Sequence, residues 1–130
     1  MFIIDAMSRT PLFEQLKAQL ERFIQNGTIA PGEQIPSIRS LSLELSINPN
    51  TILKAYAELD NMGLIHSVPG RGYFVCQDAR DVLAETAIKK LDELEAVFFE
   101  LAQAGVTKEQ IQERLEKIYN TNERGEKKND

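Results

Sequence analysis

Apolar residues return along this chain in five helical stripes, with two short strand-like runs between the third stripe and the fourth. Leu12, Leu16, Leu20, Phe23 and Ile24 share one face of a helix opened by Pro11, with Thr10 placed to cap it and Asn26-Gly27 to close it. Ile38, Leu41 and Leu45 give a short second helix behind the N-cap Ser37. Ser46, Ile47 and Asn48 make a turn. Asn48 is positioned to cap a third helix whose first position is Pro49, where a missing N–H costs nothing. Ile52, Ala55, Tyr56 and Leu59 set the buried face of that helix, and Asn50, Thr51, Lys54 and Glu58 are expected on the opposite one. Gly63 ends it as a left-handed cap. The runs Leu64 to Val68 and Tyr73 to Cys76 then form a hairpin across Pro69, Gly70, Arg71 and Gly72.

Upstream, Ala30-Pro31-Gly32-Glu33 has Pro and Gly in the order of a type II turn. Phe2, Ile3 and Ile4 read as a short strand or an apolar arm, and packing on its own domain or on a partner subunit are both open to it.

Two short helices, a turn and a Gly-tipped hairpin over Pro36 to Val75 are the layout of a winged helix-turn-helix. The expected fold is mainly α with a small β wing: a winged helix-turn-helix over 1–77, a C-terminal two-helix dimerisation hairpin over 78–119 and a disordered polar tail over 120–130. Such a layout points to double-stranded DNA. The first turn of the recognition helix enters the major groove, and Asn pairs bidentately with adenine, so Asn50 and Thr51 are candidate base contacts. Lys54 is expected on phosphate, which gives affinity without sequence information. Gly70 and Arg71 at the wing tip, Arg39 in the first turn of the second helix, and the helix-start residues Ser37 and Asn48 complete the expected DNA-binding set. Tyr56 is expected in the core, and His66, the single histidine, on a strand surface.

Ala84, Ala87, Leu91, Leu94, Phe98 and Leu101 alternate spacings of three and four, the seam of a helix that packs on another helix. Gly105 ends it. Thr107 opens a last helix with a capping box to Gln110 and a staple between Val106 and Ile111, and Ile111, Leu115, Ile118 and Tyr119 give that helix its own apolar face. With Ile88 and Val97 also apolar, the longer helix has more surface than the shorter can cover. The surplus reads as a homodimer interface centred on Leu91, Leu94, Phe98 and Leu101. The alternative, that both helices fold onto the winged helix of the same chain, stands beside it. Beyond Tyr119 the run NTNERGEKKND has no apolar residue.

Charge constrains the DNA reading. The chain carries 15 Lys and Arg against 20 Asp and Glu, a formal net charge of −5. Neither half is basic, so affinity must come from the placement of Arg39, Lys54 and Arg71, and from two copies on one palindromic operator. The acidic balance also admits a winged helix used only as a protein-interaction module. An enzyme is not expected: the sequence has no phosphate-binding Gly loop, no metal-ligand spacing and no His, Cys and carboxylate constellation, and no cofactor is implied. Cys76 stands alone and reads as a half-buried strand residue. With no run approaching the roughly 18 apolar residues of a membrane span, and no signal-peptide pattern in MFIIDAMSRT, the protein is expected in the cytoplasm.

Pro36-Ser37-Ile38-Arg39-Ser40-Leu41, Asn48-Pro49-Asn50-Thr51, Lys54-Ala55-Tyr56, Leu59, Gly63 and Gly70-Arg71-Gly72-Tyr73-Phe74-Val75 resemble the signature of GntR-family transcriptional regulators. Ile4-Asp5, Ser8, Pro11, Gln15 and the Asn-Pro-Asn-Thr turn are similar to the YtrA-type branch. The resemblance implies a repressor or regulator that binds operator DNA as a dimer, with Arg39 in the Pro-Ser-x-Arg pattern touching DNA. Many family members have Arg where Pro49 stands and another basic residue near Leu53. This chain has neither, so the base contacts of those relatives do not carry over. Other branches append a large effector domain. The C-terminal segment here is too short for one, so any small-molecule effector would sit between subunits or between the domain and its helices.

Overall fold

The computed structural model describes the backbone of residues 2–129 and the side-chain environment of residues 2–121. In chain order the elements are α1 (Leu12–Gln25), β1 (Gln34–Ile35), α2 (Ile38–Leu45), α3 (Pro49–Asn61), β2 (Ile65–Val68), β3 (Gly72–Val75), α4 (Ala79–Gln103) and α5 (Lys108–Asn129). The fold is mainly α with a small β wing, a winged helix-turn-helix followed by a two-helix hairpin. The chain forms two compact units, Met1–Ala87 and Ile88–Asp130.

In the first unit the helical stripes converge. Leu16, Leu20 and Ile24 of α1, Leu41 of α2 and Ile52, Ala55, Tyr56 and Leu59 of α3 are all fully buried, with α1 and α2 both packed on α3. The local signals act as their chemistry requires. Ser37 Oγ accepts from the Ser40 N–H at 3.0 Å, and Asn48 Oδ1 accepts from the Asn50 N–H at 2.8 Å. At the end of α3, Gly63 (φ +84°) lets the Leu64 N–H reach the Leu59 carbonyl at 3.0 Å and its own N–H reach that of Asp60 at 2.9 Å, a Schellman closure. The turn before β1 closes with Glu33 N–H donating to the Ala30 carbonyl at 3.0 Å, with Gly32 at φ +82°.

Three features differ from the sequence expectation. No side chain caps α1: Pro11 occupies the cap position, one residue beyond Thr10, and its carbonyl accepts from the Glu14 and Gln15 N–H groups, while the Gln15 side chain donates to the Thr10 carbonyl. The wing has a third strand, in the antiparallel order β1-β3-β2, with Gln34 opposite Phe74 and Ile35 opposite Tyr73. A two-residue strand shows no alternation in sequence and exists only through its partner. Finally, Ala79 and Leu83 of α4 lie in the core, so the first unit continues past the hairpin rather than ending at 77.

The N-terminal arm packs in cis. Phe2 and Ile4 lie against the core, Phe2 edge-on to Phe23 with ring centroids 5.4 Å apart. The Gln19 and Gln15 amides, one turn apart on α1, imitate a neighbouring strand. Gln19 exchanges hydrogen bonds with the N–H and carbonyl of Ile3, and Gln15 does the same with Asp5 at 2.9 Å each.

In the second unit α4 closes at Gly105 (φ +92°), where the Val106 N–H donates to the Leu101 carbonyl at 3.0 Å. The expected capping box forms: Thr107 N–H to Gln110 Oε1 at 2.8 Å, and Gln110 N–H to Thr107 Oγ1 at 3.2 Å. The hairpin is open. Between its helices lies a cleft of about 700 Å³ lined by Leu94, Phe98, Leu101, Val106, Ile111 and Leu115, among others. Leu91, Leu94, Val97, Phe99, Ile118 and Tyr119 are exposed. The helical backbone of α5 continues to Asn129, through the run where a disordered tail is expected, and the side chains beyond 121 lie outside the described residues.

Candidate nucleic-acid interface

The helix-turn-helix turn is made by Ser46, held left-handed at φ 55°, and by Ile47, whose side chain is buried and whose carbonyl accepts from the Ser42 hydroxyl and whose N–H donates to the Ser42 carbonyl. Asn48 then spends its amide oxygen on the cap and keeps its NH2 group for donation outward. Ser37 is in the same position at the start of α2, its oxygen taken by the cap and its hydroxyl proton free to donate.

The exposed face of α3 differs from the expected one. Asn50 and Lys54 are on it, but Thr51 and Glu58 are half-buried, and one Glu58 carboxylate oxygen is shielded without a partner among the described residues. Leu53 and Ala57 stand exposed in their place, so the outward stripe is Asn50, Leu53, Lys54 and Ala57 at helical offsets of zero, three, four and seven. The core set at 52, 55, 56 and 59 is fully buried, and it leaves the 50/53/54/57 face as the one turned outward.

Tyr56 ties the parts of this surface together. Its hydroxyl donates to the Pro36 carbonyl at 2.7 Å, fixing the start of α2 against α3, and its ring meets Tyr73 of β3 edge-on at 5.0 Å. Burial, and after it the neighbouring Tyr73, raise its pKa well above that of an ordinary tyrosine. The wing tip is equally constrained. Arg71 N–H donates to the Val68 carbonyl at 2.9 Å, and Gln34 Nε2 donates to the Arg71 carbonyl at 2.7 Å. Gly72, at φ +119°, holds a backbone that side-chain-bearing residues rarely adopt, and a Cβ there would also lie 2.8 Å from Gln34 Nε2 and displace that amide.

Two of the candidate cations rest on rings. Lys54 Nζ lies 3.9 Å from the centroid of Phe13 on α1, and the Arg71 guanidinium lies 5.7 Å from that of Phe74. A ring orients a cation without neutralising it, which a carboxylate partner would do. Among the described residues the ion pair found is Lys117–Glu113, at 3.7 Å on α5, so no carboxylate is found paired with Arg39, Lys54 or Arg71 there. Arg39 is exposed in the first turn of α2.

Sequence reasoning missed Phe13, Gln34 and the outward position of Leu53. The first two act through contacts between elements distant in sequence, which no local pattern carries. Leu53 was legible in principle, since it falls between Asn50 and Lys54 on a helical wheel. His66 is exposed and meets Cys76, with Nδ1 3.4 Å from Sγ, a proximity created by the β2–β3 register. The thiol is pushed up in pKa, first by burial and then by Asp78 and Asp60. Among the described residues no three His, Cys, Asp or Glu side chains gather as metal ligands. Nor is any helix there long and apolar enough to cross a membrane.

Residues 12–75 match the family described as bacterial regulatory proteins, gntR family. The HTH-type transcriptional repressor YtrA of Bacillus subtilis is 35% identical over 131 residues, covering all of both chains. A GntR family transcriptional regulator from Listeria monocytogenes superposes with a TM-score of 0.68 at 30% identity, over 85% of this chain and 96% of that one. The AraR DNA-binding domain, solved in complex with an operator, superposes with a TM-score of 0.52 at 32% identity, over 57% of this chain and 92% of that domain.

Proposed function

This chain belongs to the GntR family of bacterial regulatory proteins and is a DNA-binding transcription regulator, and from that premise we propose that it works as a homodimeric repressor on a palindromic operator. Its place of action is the cytoplasm, and it has no reaction to catalyse. Asn50 and Thr51 in the first turn of α3 read base edges; Lys54, Arg39 and the Arg71 wing tip hold phosphates; Ser37, Asn48 and Gly70 donate from helix starts and backbone. The observation that carries this reading is the outward stripe of α3, bounded by a capped Asn50 and a ring-supported Lys54.

The dimer reading rests on the open hairpin. A cleft lined by Leu94, Phe98 and Leu101 on one side and Ile111 and Leu115 on the other is left unfilled by the described residues, and a second copy has the matching apolar surface.

The test separates base readout from phosphate contact on an operator selected from random duplexes. Asn50→Ala should cost roughly 1–3 kcal/mol per half-site and relax preference at one or two base pairs. Lys54→Ala should weaken all sequences about equally. Three cations used twice give a log–log salt slope of about −5, and Lys54→Ala should flatten it by about two units. Equal loss on operator and random DNA from both variants would remove Asn50 from base readout.

A further inference from the structure

Resting on the reading of α3 as the base-reading helix, we infer that Leu53 is a specificity-determining residue that recognises the 5-methyl group of a thymine. The side chain is 47% exposed, although it sits at the centre of a stripe whose other large members, Asn50 and Lys54, are polar. It has no hydrogen-bonding capacity. Ala57, one turn further on, adds none, so the middle of the outward face is apolar. In the major groove the thymine methyl is the bulky apolar group among the donors and acceptors of the base edges, and cytosine at the same place offers only a C5–H beside its N4 amino group. A leucine pressed against cytosine instead would strip water from the N4 amino group and return no hydrogen bond. Occupancy by thymine is therefore what this surface selects, beside the base pair read by Asn50 one turn earlier on the helix.

Burying one methyl group corresponds to about fourfold in affinity per half-site and about fifteenfold for a two-half-site operator. The full-length protein is used to select an operator from random duplexes, and each thymine in it is then replaced by deoxyuridine, which removes the 5-methyl group and nothing else. One symmetric position should lose about fifteenfold when both half-sites are replaced. That loss should vanish in Leu53→Ala, which removes an exposed side chain, and persist in Asn50→Ala. In Leu53→Gln, which keeps the length and the helix, the same position should lose its thymine preference on reselection. The inference is overturned if no position distinguishes thymine from uracil, or if the discrimination survives in Leu53→Ala. A selection that enriches no sequence at all would sink the base-reading role of α3 itself, and is told apart at that earlier step.

Discussion

The two units carry the same kind of amphipathic helix and end in opposite states. In Met1–Ala87, Leu16, Leu20, Leu41, Ile52 and Leu59 are wholly withdrawn from water, while in Ile88–Asp130 the large apolar residues Leu91, Leu94, Val97, Leu115 and Ile118 remain 41–65% exposed. The difference lies in the number of surfaces each unit can close. Three helices and a three-stranded sheet surround a common interior, whereas two helices joined at a turn and open between leave both stripes wet. Transfer of such a side chain from full exposure to burial contributes roughly 1.5–3 kcal/mol, so residues already half covered retain about half of that for a partner. On the proposed function, the unit that closes on itself is the one that reads DNA, and the unit whose apolar stripes stay exposed is the one that pairs with a second copy.

The largest expected effect comes from breaking the second unit alone. Leu94→Asp combined with Phe98→Asp should give a monomer in sedimentation equilibrium and reduce operator affinity by about 10²-fold or more, through loss of the linked second site. The winged-helix unit should still melt cooperatively. A double variant that stays a folded dimer would place the interface elsewhere and dissolve the contrast.

Next in size is the same comparison drawn through stability. Leu20→Ala, in the closed core, should cost about 2–5 kcal/mol whatever the protein concentration. Leu115→Ala should cost less and show its effect mainly as a concentration-dependent shift of the melting transition, since what it weakens is association. If both shifts were independent of concentration, the second unit would be self-sufficient.

The smallest effect sharpens the account of the first unit. Tyr56 keeps its proton in the folded state at pH values where an unfolded tyrosine, with a pKa of about 10, has lost it. Its contribution is therefore complete below about pH 10 and declines as the pH rises towards its folded pKa, because there the unfolded state binds fewer protons. Tyr56→Phe should cost about 1 kcal/mol at neutral pH, for the lost bond to the Pro36 carbonyl. It should also flatten the alkaline fall in denaturant stability. Parallel curves for the two proteins between pH 9 and 11 would show that the burial of this phenol carries no alkaline penalty.

Much of the first unit follows from the sequence alone, because its signals are local. A Ser or Asn at a helix start bonds its own first turn, Pro49 presets its own φ, and a glycine at Gly63 or Gly32 permits a left-handed backbone wherever the chain must turn. Core spacing at 3.6 residues per turn identifies the buried faces of α1, α2 and α3 for the same reason, and the capping box at Thr107 is equally self-contained. What only the tertiary structure decided involves partners far apart in the chain. The two-residue β1 exists because β3 lies beside it, Phe13 supports Lys54 because α1 packs on α3, and Gln15 and Gln19 anchor the arm because it lies along α1. Leu53 belongs between these cases: its position on the helix is written in the sequence, yet its exposure depends on which side of α3 the other elements cover, and burial is a property of neighbours rather than of a residue.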